Sequence, residues 1–205
     1  MKKMMFNEKY GLQKAVLEKM KDMTRRNGAK TVLQYEIGLD IKHDKNGKRE
    51  SLIEYALRKS PYKVGDVVAI AQSYEQVKSH LGAMARCIIN PLGSPREHPG
   101  WTNKMFVRAD LMPHQIEVTE VRFEQLHCIS DEECMREGII RQDDLINCNM
   151  EDIVRYTFEN SFERGVWKMY LTPREAFAAL IDKLSGKGYW ESNPFVYVYS
   201  FKLVC

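Results

Sequence analysis

Long hydrophobic runs are missing from this 205-residue sequence, whose purely apolar stretches are only a few residues long. A helix that crosses a membrane needs about 20 such residues, so we expect no membrane-spanning helix and no membrane partner. Lys2 and Lys3 are not followed by the apolar segment of a secretory signal, so we expect no signal peptide. Repeats and low-complexity tracts are also missing, and the length fits a single domain over residues 1–205 with its own core.

Paired cysteine motifs and the common catalytic loops are missing as well. The sequence has no Gly-rich phosphate loop and no Ser-containing nucleophile elbow. An odd number of cysteines without a CxxC pair favours reduced thiols in a cytoplasmic protein. His127, Cys128 and Cys134 lack the short paired spacing of a zinc site, so we expect no metal and no cofactor. The five cysteines are Cys87, Cys128, Cys134, Cys148 and Cys205.

Charge is distributed unevenly along the chain. Residues 1–30 carry nine Lys and Arg against three Asp and Glu, whereas the remaining residues carry 22 against 25. This asymmetry favours an anionic partner near the N-terminal third, with a solvated basic helix face as the alternative.

An apolar stripe at helical spacing predicts the first element, a helix that starts at Leu12 with Asn7 as its N-cap. Basic and hydroxyl residues follow the stripe, and Lys21 and Thr24, three apart, would be neighbours on a helical turn. The stripe consists of Leu12, Ala15, Val16 and Met20. The residues that follow it are Lys21, Thr24, Arg25 and Arg26.

The next segments alternate between strand, turn and helix signals. Apolar residues at every second position from Thr31 to Ile41 predict a strand, followed by an Asn-Gly turn at 46–47 and a short helix at 52–57. The segment 61–66 predicts a tight turn into a buried strand at 67–71, and a helix is expected near 77–86.

The C-terminal half contains two capped helices and two strands. A slip in the apolar phase predicts a β-bulge at Thr119–Glu120 in a strand over 116–123. Capping boxes at Ser130–Glu133 and Thr172–Glu175 start helices that end at Gly138 and Gly186. Cys134 and Glu137 are expected on the inward face of the helix that starts at Ser130. Residues 195–204 are apolar on both faces until Ser200, which predicts a strand that is central or covered.

The spacing of Lys21, Thr24 and Arg26 resembles the Lys-x-x-Thr-x-Arg signature of the ASCH domain family in the PUA-like superfamily. The family pattern has Gly two residues before the Lys, where this chain has Lys19. Four ordered blocks, residues 6–26, 61–71, 115–139 and 172–204, resemble phage-type ASCH proteins. The resemblance implies an α+β fold built on a small PUA-like β-barrel of mixed and antiparallel strands, with flanking helices and insertions at about 27–60 and 140–171.

The resemblance also implies candidate site residues. A bacterial ASCH enzyme that hydrolyses N4-acetylcytidine is assigned a Lys/Thr/Glu set, which falls on Lys21, Thr24 and Glu137. In that mechanism Thr24 attacks the amide carbonyl and Lys21 accepts its proton, with the pKa of Lys21 lowered by burial and by Arg26. Glu137 orients Lys21 or passes a proton to the leaving amine.

Binding without catalysis is the function we expect first. An RNA or a modified nucleoside would lie in a basic cleft, with Lys21, Arg25 and Arg26 on phosphate and Tyr74 or Trp101 stacked on a base. The amidohydrolase is the alternative, and a phage-related protein-interaction module is the third. A purely structural interpretation makes Lys21–Glu137 an ion pair and places both aromatic residues in the core.

Overall fold

The structure, a computed structural model, describes residues 1–81, 99–144, 153–163 and 166–204. Its strands are β1 (Lys3–Met4), β2 (Met23–Asn27), β3 (Val67–Ile70), β4 (Gln115–Gln125), β5 (Ile140–Asp144), β6 (Ile153–Thr157), β7 (Phe162–Glu163), β8 (Val166–Trp167) and β9 (Phe195–Val204). Its α-helices are α1 (Leu12–Leu17), α2 (Ala29–Glu36), α3 (Leu52–Lys59), α4 (Tyr74–Leu81), α5 (Asp131–Arg136) and α6 (Pro173–Ser185). Short 3-10 turns cover Lys104–Phe106, Ala109–Leu111 and Leu126–Cys128.

A five-stranded mixed sheet in the order β1-β3-β4-β9-β2 organises the fold. β1 runs parallel to β3, and every other pair in this sheet is antiparallel. β9 lies between β4 and β2, so its predicted central position is confirmed. The register of β4 on β9 shifts between Val118 and Glu120, which confirms the predicted bulge. The predicted α+β class is therefore confirmed.

The sheet is open between its two edge strands. Over the described ranges β1 and β2 make no ladder with each other, so backbone pairing does not close a barrel. The two edges are connected instead by a side chain, because the Arg26 guanidinium donates to the carbonyl oxygen of Met5 just after β1. Closure into a PUA-like barrel remains a prediction.

The hydrophobic core has two parts. The larger part packs α1, α5 and α6 against the sheet and includes Val16, Phe123, Leu180 and Tyr199. The smaller part surrounds α4 and consists of Ala69, Ala71, Tyr74, Val77, Val107 and Met112, with Trp101 packed against it. Smaller hairpins pair β5 with β6 and β7 with β8.

The predicted helix from Leu12 is shorter than its sequence pattern indicates. α1 ends at Leu17, Lys19 adopts a left-handed φ of 61°, and the chain enters β2 at Met23. The placement of Lys21 and Thr24 on one helical turn was therefore wrong, and Met20 is 56% exposed. Asn7 is not the N-cap: Gly11 occupies that position, and the Asn7 side chain accepts from the Tyr10 amide.

The strand predicted from Thr31 to Ile41 was also wrong. Those residues begin in α2, which starts directly after β2 because the Asn27 side chain accepts from the Ala29 amide at 2.7 Å. Leu33, Ile37 and Leu39 are at least half exposed, so their alternation does not mark a buried face. The following turn is confirmed, with Gly47 at a φ of 76°, and so is the helix at α3.

The two capped helices in the C-terminal half are confirmed. Thr172 and Glu175 form a reciprocal capping box, and Pro173 occupies the first turn of α6. Ser130 accepts from the Glu133 amide, but the Glu133 carboxylate binds arginines instead of completing the box. The helix predicted near 77–86 corresponds to α4, and its part beyond Leu81 lies outside the described residues. The predicted insertions contain α2 and α3 in one case and β5 to β8 in the other.

Candidate functional site

The structure brings Lys21 and Glu137 together from positions 116 residues apart. The Lys21 ammonium donates to the Glu137 carboxylate at 2.6 Å and to the Glu137 carbonyl oxygen at 2.7 Å. The two side chains are 1% and 5% exposed. Lys21 lies in the loop between α1 and β2, and Glu137 is the C-cap residue of α5. Gly138, at a φ of 100°, turns the chain directly after it.

Arg25 extends this pair into a network of acids. Its guanidinium donates to Glu137 at 3.2 Å, to Glu133 at 2.5 Å and to Glu124 at 3.1 Å. Arg122 binds the outer side of the same Glu124 and Glu133 carboxylates. Arg25 is therefore held by three acids and contributes chiefly to the architecture of the site, which differs from the predicted contact with phosphate.

Burial dominates the electrostatics of Lys21. Desolvation lowers the pKa of its ammonium, the Glu137 carboxylate opposes that shift, and the nearby charges of Arg26 and Arg25 lower the pKa further. The direction and the two causes predicted from sequence, burial and Arg26, agree with this environment.

A cavity of about 480 Å³ opens beside this pair, at the gap between the segment that follows β1 and strand β2. Its polar lining consists of Asn7, Glu8, Lys21, Thr24, Arg25, Arg26, Asn27, Lys104, Glu137 and Ser185. Its apolar lining consists of Met5, Phe6, Leu12, Phe177, Leu180, Ile181 and Leu184. The last four of these belong to α6, so one wall is an apolar helix face and the rest is largely polar.

Thr24 and Arg26 alternate with Arg25 along β2. Two residues apart on a strand, Thr24 and Arg26 project from the same face, opposite to Met23 and Arg25. Thr24 is 5% exposed, and across the described residues its hydroxyl has no hydrogen-bond partner. The Arg26 guanidinium lies 5.6 Å from the centre of the Phe6 ring, and burial lowers its pKa.

Tyr74 and Trp101 are not brought into the cavity. Tyr74 is 3% exposed in the smaller core cluster, and Trp101 packs against that cluster with the Lys78 ammonium 5.7 Å from its ring. Neither belongs to the cavity lining, so their predicted stacking on a base at this cavity is not supported. Both aromatic residues are therefore described by the purely structural interpretation, which assigns them to ordinary core packing.

Sequence reasoning missed several residues of the site. Lys104 follows no recognisable motif, yet its ammonium donates to the Phe6 carbonyl oxygen at 2.5 Å and to Glu8 at 2.8 Å, which fixes one rim of the cavity. The second carboxylate of the network, Glu133, was visible only as a capping residue. The apolar stripe of α6, which forms one wall of the cavity, was predicted from sequence. Its pattern did not show that these residues line a cavity and not the core.

Fold and cavity together define an α+β protein with an open mixed sheet and a polar pocket at the gap between its edges. No protein-family model, no curated protein and no solved structure matches the chain. Among the described helices none is long and apolar enough to cross a membrane. In the same part of the chain, no three His, Cys, Asp or Glu residues are grouped so as to hold a metal ion. Cys128 and Cys134 are free thiols, and the other three cysteines lie outside the described residues.

Proposed function

We propose that the protein binds a modified nucleoside, or one unpaired nucleotide of an RNA, in the cavity beside Lys21, Thr24, Arg26 and Glu137. The observation that carries the proposal is the buried Lys21–Glu137 pair on the wall of a cavity of about 480 Å³. That volume is within the range of about 300–1,000 Å³ typical of small-molecule sites. The order of the sequence blocks supports a PUA-like ASCH fold for the same chain.

The lining suits a ligand with one planar apolar part and several polar groups. Phe177, Leu180 and Ile181 of α6 offer an apolar surface for a base. Lys21 has three N–H donors, two of which bind Glu137, so one remains for a carbonyl or ring nitrogen of the ligand. The Thr24 hydroxyl can donate or accept. Such groups give orientation and specificity within an otherwise apolar contact.

Calorimetric titration with cytidine, N4-acetylcytidine and a single-stranded RNA pentamer tests the proposal. We expect at least one of them to bind, and Thr24→Val to weaken binding by about 10-fold because a single hydrogen bond is lost without a change of shape. Thr119→Val, an exposed threonine on β4, is the matched control and should bind like the wild type. The absence of binding by all three ligands would refute this function.

Hydrolysis of an N-acylated cytidine is the second candidate, because Lys21 has a lowered pKa and the Thr24 hydroxyl lines the same cavity with no hydrogen-bond partner among the described residues. Thr24 would attack the acyl carbonyl, Lys21 would take the hydroxyl proton, and cytidine would leave with a proton from Glu137 or Lys21 before water hydrolyses the acyl-threonine. The 2.6 Å pair with Glu137 favours a charged Lys21, which is a poor base, so we rank binding first.

Chromatographic detection of cytidine released from N4-acetylcytidine separates the two candidates. An amidohydrolase would release cytidine in the wild type and not in Thr24→Val, whereas a binding protein would retain the ligand intact. Thr119→Val again serves as the control, and its melting temperature together with that of Thr24→Val shows whether both variants are folded.

A further inference from the structure

Arg26 differs from every other cation of the cavity wall in its partners. Lys21, Arg25 and Lys104 each pair with a carboxylate at 3.2 Å or less. Within the described ranges Arg26 pairs with none, and its contacts are the Met5 carbonyl oxygen and the face of the Phe6 ring. Glu137 acts on it from a distance, but both oxygens of that carboxylate already accept hydrogen bonds, one from Lys21 and one from Arg25.

A cation that is partly removed from water without a counterion is energetically unfavourable. A guanidinium has five N–H donors in a planar fork, which matches the geometry of a phosphate or carboxylate. One of those donors is used by Met5, so the others can receive an anionic group of a ligand. The charges of the three paired cations are already balanced by carboxylates. The predicted phosphate contact is therefore assigned to Arg26 rather than to Lys21 or Arg25.

The position of Arg26 on β2 also indicates how a ligand would lie. Thr24 and Arg26 project from one face of the strand at positions about 6.6 Å apart. An anionic group at Arg26 therefore places the neighbouring uncharged part of the ligand toward Thr24 and the Lys21–Glu137 pair. This arrangement fits a nucleotide better than a nucleoside, because a nucleotide carries its charge at one end and its base at the other.

We infer that Arg26 is a phosphate-binding residue and that the cavity takes a nucleoside phosphate, free or as one residue of an RNA, in preference to an uncharged nucleoside. The inference rests on the proposed function, since it concerns the same cavity. It adds the chemical class of the ligand and the residue that selects it.

Calorimetry with cytidine and cytidine 5′-monophosphate, on the wild type and on Arg26→Gln, tests this inference. The wild type should bind the monophosphate about 10- to 100-fold more tightly than cytidine, as expected for a charge-assisted pair of hydrogen bonds. In Arg26→Gln, which keeps polar donors but loses the charge, the ratio of the two affinities should fall close to one. Arg108→Gln, an exposed arginine paired with Asp110, is the control and should keep the ratio of the wild type.

A second measurement guards against a variant that fails to fold. Inorganic phosphate should raise the melting temperature of the wild type and of Arg108→Gln but not that of Arg26→Gln, and Arg26→Lys should retain part of the effect because it keeps the charge. A short RNA that binds more tightly than the monophosphate, with the same dependence on Arg26, identifies the phosphate source as RNA and supports the inference.

Two outcomes overturn it, and they are distinguishable. Equal affinity of the wild type for cytidine and its monophosphate, with both weakened by Thr24→Val, refutes the role of Arg26 and leaves the proposed function intact. If neither compound nor RNA binds, and phosphate does not change the melting temperature, both the inference and the proposed function are wrong.

Discussion

Lys19 is the residue at which the chain departs most clearly from the pattern of the family it resembles, and its backbone explains why glycine suits that position. Its φ of 61° lies in the left-handed region, where a Cβ atom is unfavourable by about 1–2 kcal/mol. Its side chain is exposed and forms no ion pair that would offset this strain among the described residues. The turn into β2 is thus formed despite Lys19.

Replacement of Lys19 by glycine should therefore stabilise the protein. We expect Lys19→Gly to be about 1 kcal/mol more stable than Lys19→Ala, because alanine keeps the Cβ atom while glycine removes it, and the greater freedom of the unfolded glycine chain offsets only part of the gain. Urea denaturation of both variants measures the difference. Equal stability of the glycine and alanine variants would contradict a strained turn.

The Lys21–Glu137 pair allows a second test at this scale. Glu137→Gln leaves Lys21 buried without its acid, and Lys21→Met leaves Glu137 with Arg25 alone, so each should destabilise the protein by about 3–5 kcal/mol. The double variant should lose less than the sum of the two, with a coupling of about 1–3 kcal/mol from chemical denaturation. Strictly additive losses would show that the pair contributes nothing beyond its separate side chains.

Part of the site could be predicted from sequence at the level of single residues. The resemblance to a Lys/Thr/Glu set placed Lys21, Thr24 and Glu137 together, and the structure assembles them around one cavity. The sequence could not show that Arg25 pairs with acids whereas Arg26, among the described residues, does not. Two adjacent arginines look alike until the strand face and the acidic neighbours of each are known. For Tyr74 and Trp101, residue type alone does not separate a stacking surface from a core position.

At the scale of whole elements, prediction succeeded where a cap and a periodic stripe agreed. α6 has its capping box, its buried stripe and its terminal Gly186, and all three signals describe the same helix. β2 has no such agreement: its sequence, Met-Thr-Arg-Arg-Asn, contains a single apolar residue, so no period of two is visible. Its buried residues are Met23, Thr24 and Arg25, and the one charged side chain among them is neutralised by distant acids.

α2 shows how an apolar alternation can mislead. Thr31 is its one buried residue, and the helix is attached through the Thr31–Tyr197 hydrogen bond at 2.9 Å and the packing of Tyr35 on Tyr55. With so little apolar burial, α2 should open at a lower free energy than the central strand. The alternation of Leu33, Ile37 and Leu39 reflects residues on the surface.

Hydrogen exchange measures this difference directly. Amides of α2 should exchange faster than those of β9, which is hydrogen bonded on both sides by β4 and β2. Tyr197→Phe removes the hydroxyl that binds Thr31 and should accelerate exchange in α2 more than in β9. Equal protection of the two elements would refute the weak attachment of α2.

For the molecule as a whole, Glu133 of the acidic network contributes to the pH dependence of stability. Burial alone would raise the pKa of Glu133, but hydrogen bonds from Arg122 and Arg25 outweigh it and hold the pKa below the ordinary value of 4.5. The unfolded chain therefore binds a proton near pH 4.5 while the folded chain does not. The stabilisation from Glu133 is present above that pH and is lost as the pH falls through the lower pKa of the folded state.

The free energy of unfolding should accordingly fall as the pH is lowered below about 4.5. Glu133→Gln should be less stable than the wild type at neutral pH and should show a flatter decline. Glu191→Gln, an exposed residue outside the network, is the control. Urea midpoints from pH 7 down to about 3 test this, and parallel curves for the wild type and Glu133→Gln would contradict it.

The overall architecture was predictable only in part, for a topological reason. The α+β class was implied by the family resemblance, whereas the central β9 and the bulge follow from local patterns that each belong to one element. One edge of the sheet is formed by β1, which has two residues and pairs with β3 from far along the chain. A strand that short leaves no periodic trace in the sequence.

The gap between β1 and β2 links ligand occupancy to the integrity of the N-terminal segment. One side of the cavity is formed by residues 5–8, and the other side is formed by residues 24–27 of β2. A ligand that touches both sides adds contacts between residues 5–8 and β2 to the Arg26–Met5 hydrogen bond that already joins them. Protease cleavage near the start of the chain should therefore slow in proportion to the fraction of cavities that hold a ligand. The cleavage rate measures this occupancy even when the identity of the ligand is unknown.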